Sequence, residues 1–149
     1  VVAGFLVATF IGNLVAYRNA TEYTGYIYVP LPQPLTSAAW DGDAYSTTAT
    51  TKIDTSAVFG APPGIKAAVV RLLARDSGTF PQTGLYVTLS SGSNMAATAQ
   101  MGVRPTGDDV WDENCGIVAC DANGDFYVTI AASGSGTMDV WLSITGYFV

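Results

Sequence analysis

The residues that could do hydrolytic chemistry in this chain without histidine are its carboxylates. Histidine is absent from its 149 residues, which removes Ser-His-Asp and Cys-His catalysis, His-ligated zinc and the usual pH switch together. Eight of the twelve acids, Asp41, Asp43, Asp108, Asp109, Asp112, Glu113, Asp121 and Asp125, fall in stretches that read as turns. Two carboxylates can hydrolyse a glycosidic bond without histidine, yet no pair is singled out by its surroundings, and no catalytic residue is assigned. In "CDANGDF" the residues Asp121, Asn123 and Asp125 alternate as at the start of a calcium loop. The glycine stands at the fourth place and no acid follows at the far end, so the EF-hand pattern fails. Asn123-Gly124 reads instead as a two-residue hairpin turn between "GIVAC" and "DFYVTI". No metal ligand set and no cofactor is expected.

The remaining reactive groups are few. Cys115 and Cys120 are five apart, about 16 Å on one extended strand, so a disulfide would need a tight turn at Gly116, and two separate thiols are the simpler arrangement. "SGSGT" at 133–137 lacks the lysine and helix of a phosphate loop and reads as a turn. Asn19-Ala20-Thr21 fits a glycosylation acceptor but is assigned no role. Twelve acidic against six basic residues give a net charge of −6 with no basic cluster, which argues against nucleic acid as a partner.

What must position such residues is a β framework. Runs rich in Val, Ile, Tyr, Thr and Phe, punctuated by Gly, Pro, Asn, Asp and Ser, recur throughout. They place strands near 5–11, 14–18, 23–29, 50–54, 66–75, 85–90, 100–104, 115–119, 126–131 and 138–148, with a helical turn at 55–59. Pro30, Pro32 and Pro34 mark 30–47 as a long extended connection crossing between sheets. "KAAVVRLLA" is apolar on both alternate sets and reads as a central strand covered on both faces. "GLYVTLSSG" and "DFYVTIAASG" echo one another, with Leu85, Val87 and Leu89, or Phe126, Val128 and Ile130, pointing inward. The expected fold is all-β: an antiparallel two-sheet sandwich, jelly-roll-like, over 30–149, preceded by an N-terminal apolar arm or first strands at 1–29.

The opposite faces carry aromatic rings with polar tips. In the last strand Trp141 and Tyr147 alternate with Met138, Val140, Leu142, Ile144 and Phe148; Tyr26, Tyr28, Tyr86 and Tyr127 hold equivalent positions. Such rings suit interfaces and sugar sites, so these six are the interface or glycan-contact candidates. The competing arrangement, in which another layer covers them and makes them core, stays open here. The arm, "VVAGFLVATFIGNLVAY" at 1–17, is too short and interrupted for a membrane span. Its glycines and β-branched residues favour strand over helix, and its apolar surface is expected to be buried against another copy of the chain.

From about Pro30 onward, "PLTSAAWDGDAYSTT", "IDTSAVFGAPPGIKAAVVRLLARDSG" and "GIVACDANGDFYVTIAASGSGTMDVWLSITGY" resemble a domain of bacteriophage tail-fibre and other virion structural proteins. The resemblance implies a non-enzymatic β-sandwich module on a virion or extracellular surface, a tail-fibre module or capsid decoration. Its implied partners are other copies of itself and other virion or filament proteins, with a host-surface glycan as a further class. The alternatives are a carbohydrate-binding module stacking sugars on Trp141, Tyr147, Trp40 or Trp111, a pilus-like filament subunit joined through the arm, and a glycosidase using two loop carboxylates.

Overall fold

The computed structural model describes residues 25–45, 48–77, 84–107, 109–132 and 138–149, together with the backbone of 7–11 and 14–18. The glycosylation triplet at 19–21 and the glycine-rich stretch at 133–137 lie outside the described residues. The strands are β1 (Val7–Ile11), β2 (Leu14–Arg18), β3 (Tyr28–Leu35), β4 (Asp41–Tyr45), β5 (Ala49–Ile53), β6 (Ala67–Asp76), β7 (Tyr86–Ser90), β8 (Ala99–Val103), β9 (Trp111–Ala119), β10 (Phe126–Ala131) and β11 (Met138–Phe148). A 3-10 turn at Ala38–Trp40 and two short α-helices, α1 (Thr55–Phe59) and α2 (Met95–Thr98), interrupt them. Among the described residues no helix is long and apolar enough to cross a membrane.

Two antiparallel sheets form a sandwich. One runs β3-β11-β6-β9 with β4 also on β11; the other runs β5-β10-β7-β8. The pairings are nested: β3 meets β11, β5 meets β10, β6 meets β9 and β7 meets β8. The inward sets follow the two-residue period of the sequence. Ala68, Val70, Leu72, Ala74, Val118, Val140, Leu142 and Ile144 face Ile53, Val87, Leu89, Val103, Phe126, Val128 and Ile130, and all are buried. Each of the larger ones contributes about 2 kcal/mol by leaving water.

One edge of the sandwich is closed by side chains rather than by a ladder. Arg104 N donates to Asp112 Oδ2 (2.7 Å), Asn114 Nδ2 to Gly102 O (3.1 Å) and Ala119 N to Gln100 Oε1 (2.6 Å), tying β8 to β9. Backbone groups that would template another chain are thereby occupied.

Three expectations need correction. The proline-rich stretch is extended, but as edge strand β3 followed by β4, both on β11; the chain crosses between sheets only after Tyr45. Proline suits that place, since an edge strand need not donate on its outer side. β6 is central yet covered on one face only: Val69 and Leu73, on the outer set, are half-buried by their neighbours.

The turn at 121–125 joins strands of opposite sheets, not a hairpin. Asp121 N donates to Asp125 O and Gly124 N to Asp121 O, and Gly124 has φ +92° while Asn123 keeps a negative φ. The chain therefore makes a three-residue loop ending in a left-handed glycine. Gly124 O accepts from the buried Thr55 hydroxyl at 2.7 Å, and Asn123 O from Gly64 N at 3.0 Å. A Cβ on Gly124 would lie 2.8 Å from Gly64 N.

Gly124→Ala combines a left-handed alanine with a clash against backbone, and is expected to cost about 3 kcal/mol. Gly60→Ala, at φ +72° with open space around it, should cost only about 1 kcal/mol. Equilibrium denaturation of both variants checks this; equal losses would contradict the packing account.

Candidate functional site

The outer face of the larger sheet carries the molecule's densest group of aromatic and charged side chains among the described residues. Cross-strand register brings Trp111, Arg75 and Asp139 into one row, Glu113, Leu73 and Trp141 into the next, and Cys115, Arg71 and Ser143 into a third. The Trp111 and Trp141 rings lie 4.4 Å apart between centroids at 41°. The Arg75 guanidinium carbon sits 5.0 Å from the Trp111 centroid and 5.9 Å from that of Trp141. Asp139, only 6% exposed, accepts from Arg75 Nε (3.0 Å) and Nη2 (2.6 Å). That bond holds the guanidinium proton even more tightly than usual and fixes the cation against both rings.

Beneath Trp141 lies a glycine. The β4–β11 register skips one residue, pairing Asp43 with Val140 and Asp41 with Trp141, so Gly42 is a bulge with φ +114°. A Cβ there would come 2.6 Å from the indole. Trp141 therefore rests on bare backbone, with Trp111 and Arg75 beside it. Next to it a cavity of about 160 Å³ opens between Thr36, Asp41, Arg71, Leu73 and Ser143. The buried Trp40 and Leu142 also line it. On its rim Arg71 grips Glu113 through Nε and Nη2; the arginine holds the Glu113 carboxyl below the ordinary carboxylate range.

Farther along the same face the character turns apolar. Thr145 is the extra residue of a second bulge, since Ile144 faces Val70 and Gly146 faces Val69. Its hydroxyl donates to Val69 O at 3.2 Å. From that point the two faces of β11 exchange. Tyr147 pairs with Ala68 and packs against the core, whereas Phe148 faces outward beside Tyr28 at 5.2 Å. The Tyr28 ring lies over Gly146, as Trp141 does over Gly42. Ile117, on this face, is 57% exposed.

The six aromatic candidates are thus divided. Trp141 and Tyr28 share the larger sheet's outer face, and Tyr26 lies 63% exposed just before its first strand. Tyr147 does not belong with them, because the bulge turns it inward. Trp40, named as a stacking platform, is buried and stacks on Tyr45 at 5.4 Å. Tyr86 and Tyr127 lie on the other sheet, outward and half-buried, flanking a row of Thr50, Thr129 and Thr88. The Thr50 and Thr129 hydroxyls are 2.9 Å apart. Beside them an open groove of about 600 Å³ runs between Tyr86, Thr88, Gly102 and Met95 of α2, with Arg104 and Asp112 at its rim. Sequence reasoning did not single out Gly42, Arg71, Arg75, Glu113 or Asp139. The alternation of Arg71, Leu73 and Arg75 put both arginines on one face, but their partners depend on register.

Among the described residues no group of three or more acidic or thiol side chains is placed to hold a metal ion. Asp121 and Asp125 instead hold Lys52, at 3.0 and 2.7 Å, and Asp125 foremost, then Asp121, strengthen its hold on its proton. Cys115 is exposed and Cys120 half-buried, both free; burial pushes the Cys120 thiol up to about 12. In comparisons with known proteins the sequence matches no family model and no curated protein.

Arg75→Met should lower the stability of the fold, because it takes the guanidinium from the buried Asp139 carboxylate and leaves it the Ser77 hydroxyl. Adding Asp139→Asn should restore part of that loss, as a double-mutant cycle by denaturation would measure. Alkylation at pH 8 followed by mass mapping should modify Cys115 first, with Cys120 slower by about a hundredfold or more.

Proposed function

We propose that the protein is a non-enzymatic structural or adhesive subunit of an extracellular assembly, a virion component such as a tail-fibre module or capsid decoration. The observation that carries this reading is the β1–β2 hairpin, apolar in sequence, which among the described residues pairs with neither sheet of the sandwich. The sandwich buries its own core without it among the described residues, and the arm's sequence is too apolar to be left in water. The nested strand order is how a jelly roll is wound, an architecture used by viral capsid and lectin domains. The phage-like phrases of the sequence favour the virion among possible assemblies. The carboxylates favour structure over hydrolysis: Asp54 caps α1, Asp121 and Asp125 hold Lys52, Asp112 closes the sheet edge and Glu113 pairs with Arg71.

In this reading the arm is β-structured and is covered by another copy of the chain, which makes the protein an obligate homo-oligomer. Mass photometry and light scattering of the full chain at micromolar concentration should give a defined oligomer. Deleting residues 1–17 should leave a folded monomer by circular dichroism and scattering. A full chain that is a stable monomer, or a deletion that unfolds the domain, would refute the assembly reading.

A further inference from the structure

The edge strands of an open sheet turn half of their backbone N–H and C=O groups outward, where a further strand can pair with them. Most edges of this sandwich are closed. β8 and β9 are tied to one another by Asp112, Asn114 and Gln100. Ile27, just before β3, exchanges both backbone bonds with Val149. The two-residue period then turns the nitrogen of Pro30 outward, and Pro32 and Pro34 follow at the same alternate positions. That edge is short of donors for a new strand. β4 is broken by the Gly42 bulge, with Trp141 laid over it.

β5 has none of these protections. Its five residues, Ala49–Ile53, are hydrogen-bonded to β10 on one side only. Lys52, the charge that would ordinarily guard such an edge, is held by Asp121 and Asp125 at the turn before β10. The cover over the core also stops short here. Ala49 and Thr51 stand opposite Ile130 and Val128, which are buried, so they share the inward face. Both are nevertheless exposed. The larger sheet does not reach over them, and a strand added beside β5 would complete its ladder and cover this strip together.

The chain itself carries strands of the matching length. β1 and β2 have five residues each, as β5 has, and read VATFI and LVAYR. They pair with one another and, among the described residues, with neither sheet. A hairpin keeps a free edge on each strand, so it can join a sheet without giving up its own pairing. We propose that β5 is the acceptor edge for the β1–β2 hairpin of a second copy of the chain, which extends the smaller sheet by strand addition and covers Ala49 and Thr51. This rests on the assembly reading above, in which another copy covers the arm, and adds where on that copy the arm lies.

The test uses the full chain throughout. Ala49→Asp and Thr51→Asp alter residues that are exposed in the single chain, so circular dichroism and thermal melts should match the parent. Each places a charge where the added strand must lie, and mass photometry should show the dissociation constant of the oligomer raised at least tenfold. Ile117→Asp, on the outer face of the larger sheet, should assemble as the parent does. Phe10→Asp, in the arm, should give monomers. Mixing it with Thr51→Asp should restore one interface as a 1:1 pair, because the first keeps an intact edge and the second an intact arm. Hydrogen exchange on the parent needs no substitution: the amides of 49–53 should slow when the protein is concentrated enough to assemble. The proposal is overturned if both edge variants assemble as the parent does, if the two defective variants stay monomeric together, or if exchange at 49–53 is the same in monomer and oligomer. An oligomer that persists in the edge variants sinks only this inference and leaves the assembly reading standing; a parent that never leaves the monomeric state sinks both.

Discussion

Everything in the larger sheet depends on β11. The final strand is hydrogen-bonded along its length to β6 on one side and to β3 and β4 in succession on the other, so the first sandwich strand closes on the last. A pairing between chain ends carries a high loop-closure cost and is repaid only when the strands are held from both faces. Val140, Leu142 and Ile144 supply the core side; Asp139 and Trp141 supply the other, through Arg75 and Trp111.

Two bulges shape that strand's surroundings, and each is coupled to an aromatic ring. Gly42 bulges in β4 and carries Trp141; Thr145 bulges in β11, and the following Gly146 carries Tyr28. A bulge breaks the side-chain alternation and leaves backbone exposed. A ring laid over a glycine covers that backbone and restores packing. The same devices that bend the sheet therefore place the aromatic groups of its outer face.

Charge is used sparingly, in turns and in ion pairs between strands. Several of the acids satisfy backbone donors or pair with cations. Asp54 accepts from Ala57 N, the Ser56 hydroxyl and Ser56 N, and these bonds, Ala57 N foremost, hold it below the ordinary carboxylate range. At Asp121 burial works against ionisation, but the N–H groups of Asp125 and Asn123 together with Lys52 outweigh it and lower the carboxyl. In a chain with so few ions, turn geometry is where a carboxylate contributes most, since a charge-assisted bond to N–H is stronger than an exposed ion pair.

The sequence by itself determined where most of the strands lie and, away from the bulges, which of their residues face inward. The alternation in Phe126, Val128 and Ile130, or in Val140, Leu142 and Ile144, is local, and so is the aspartate-capped turn at 55–59. Tertiary structure alone decided which strands pair and in what register. It set β9 and β10 in opposite sheets across a turn that reads locally as a hairpin, and it made the proline-rich stretch an edge strand. It also turned Tyr147 inward through one extra residue at Thr145. Alternation is a property of a single strand, whereas partner and register depend on groups distant in sequence. A bulge leaves no mark in the pattern of side chains until the neighbouring strand is there to count against it.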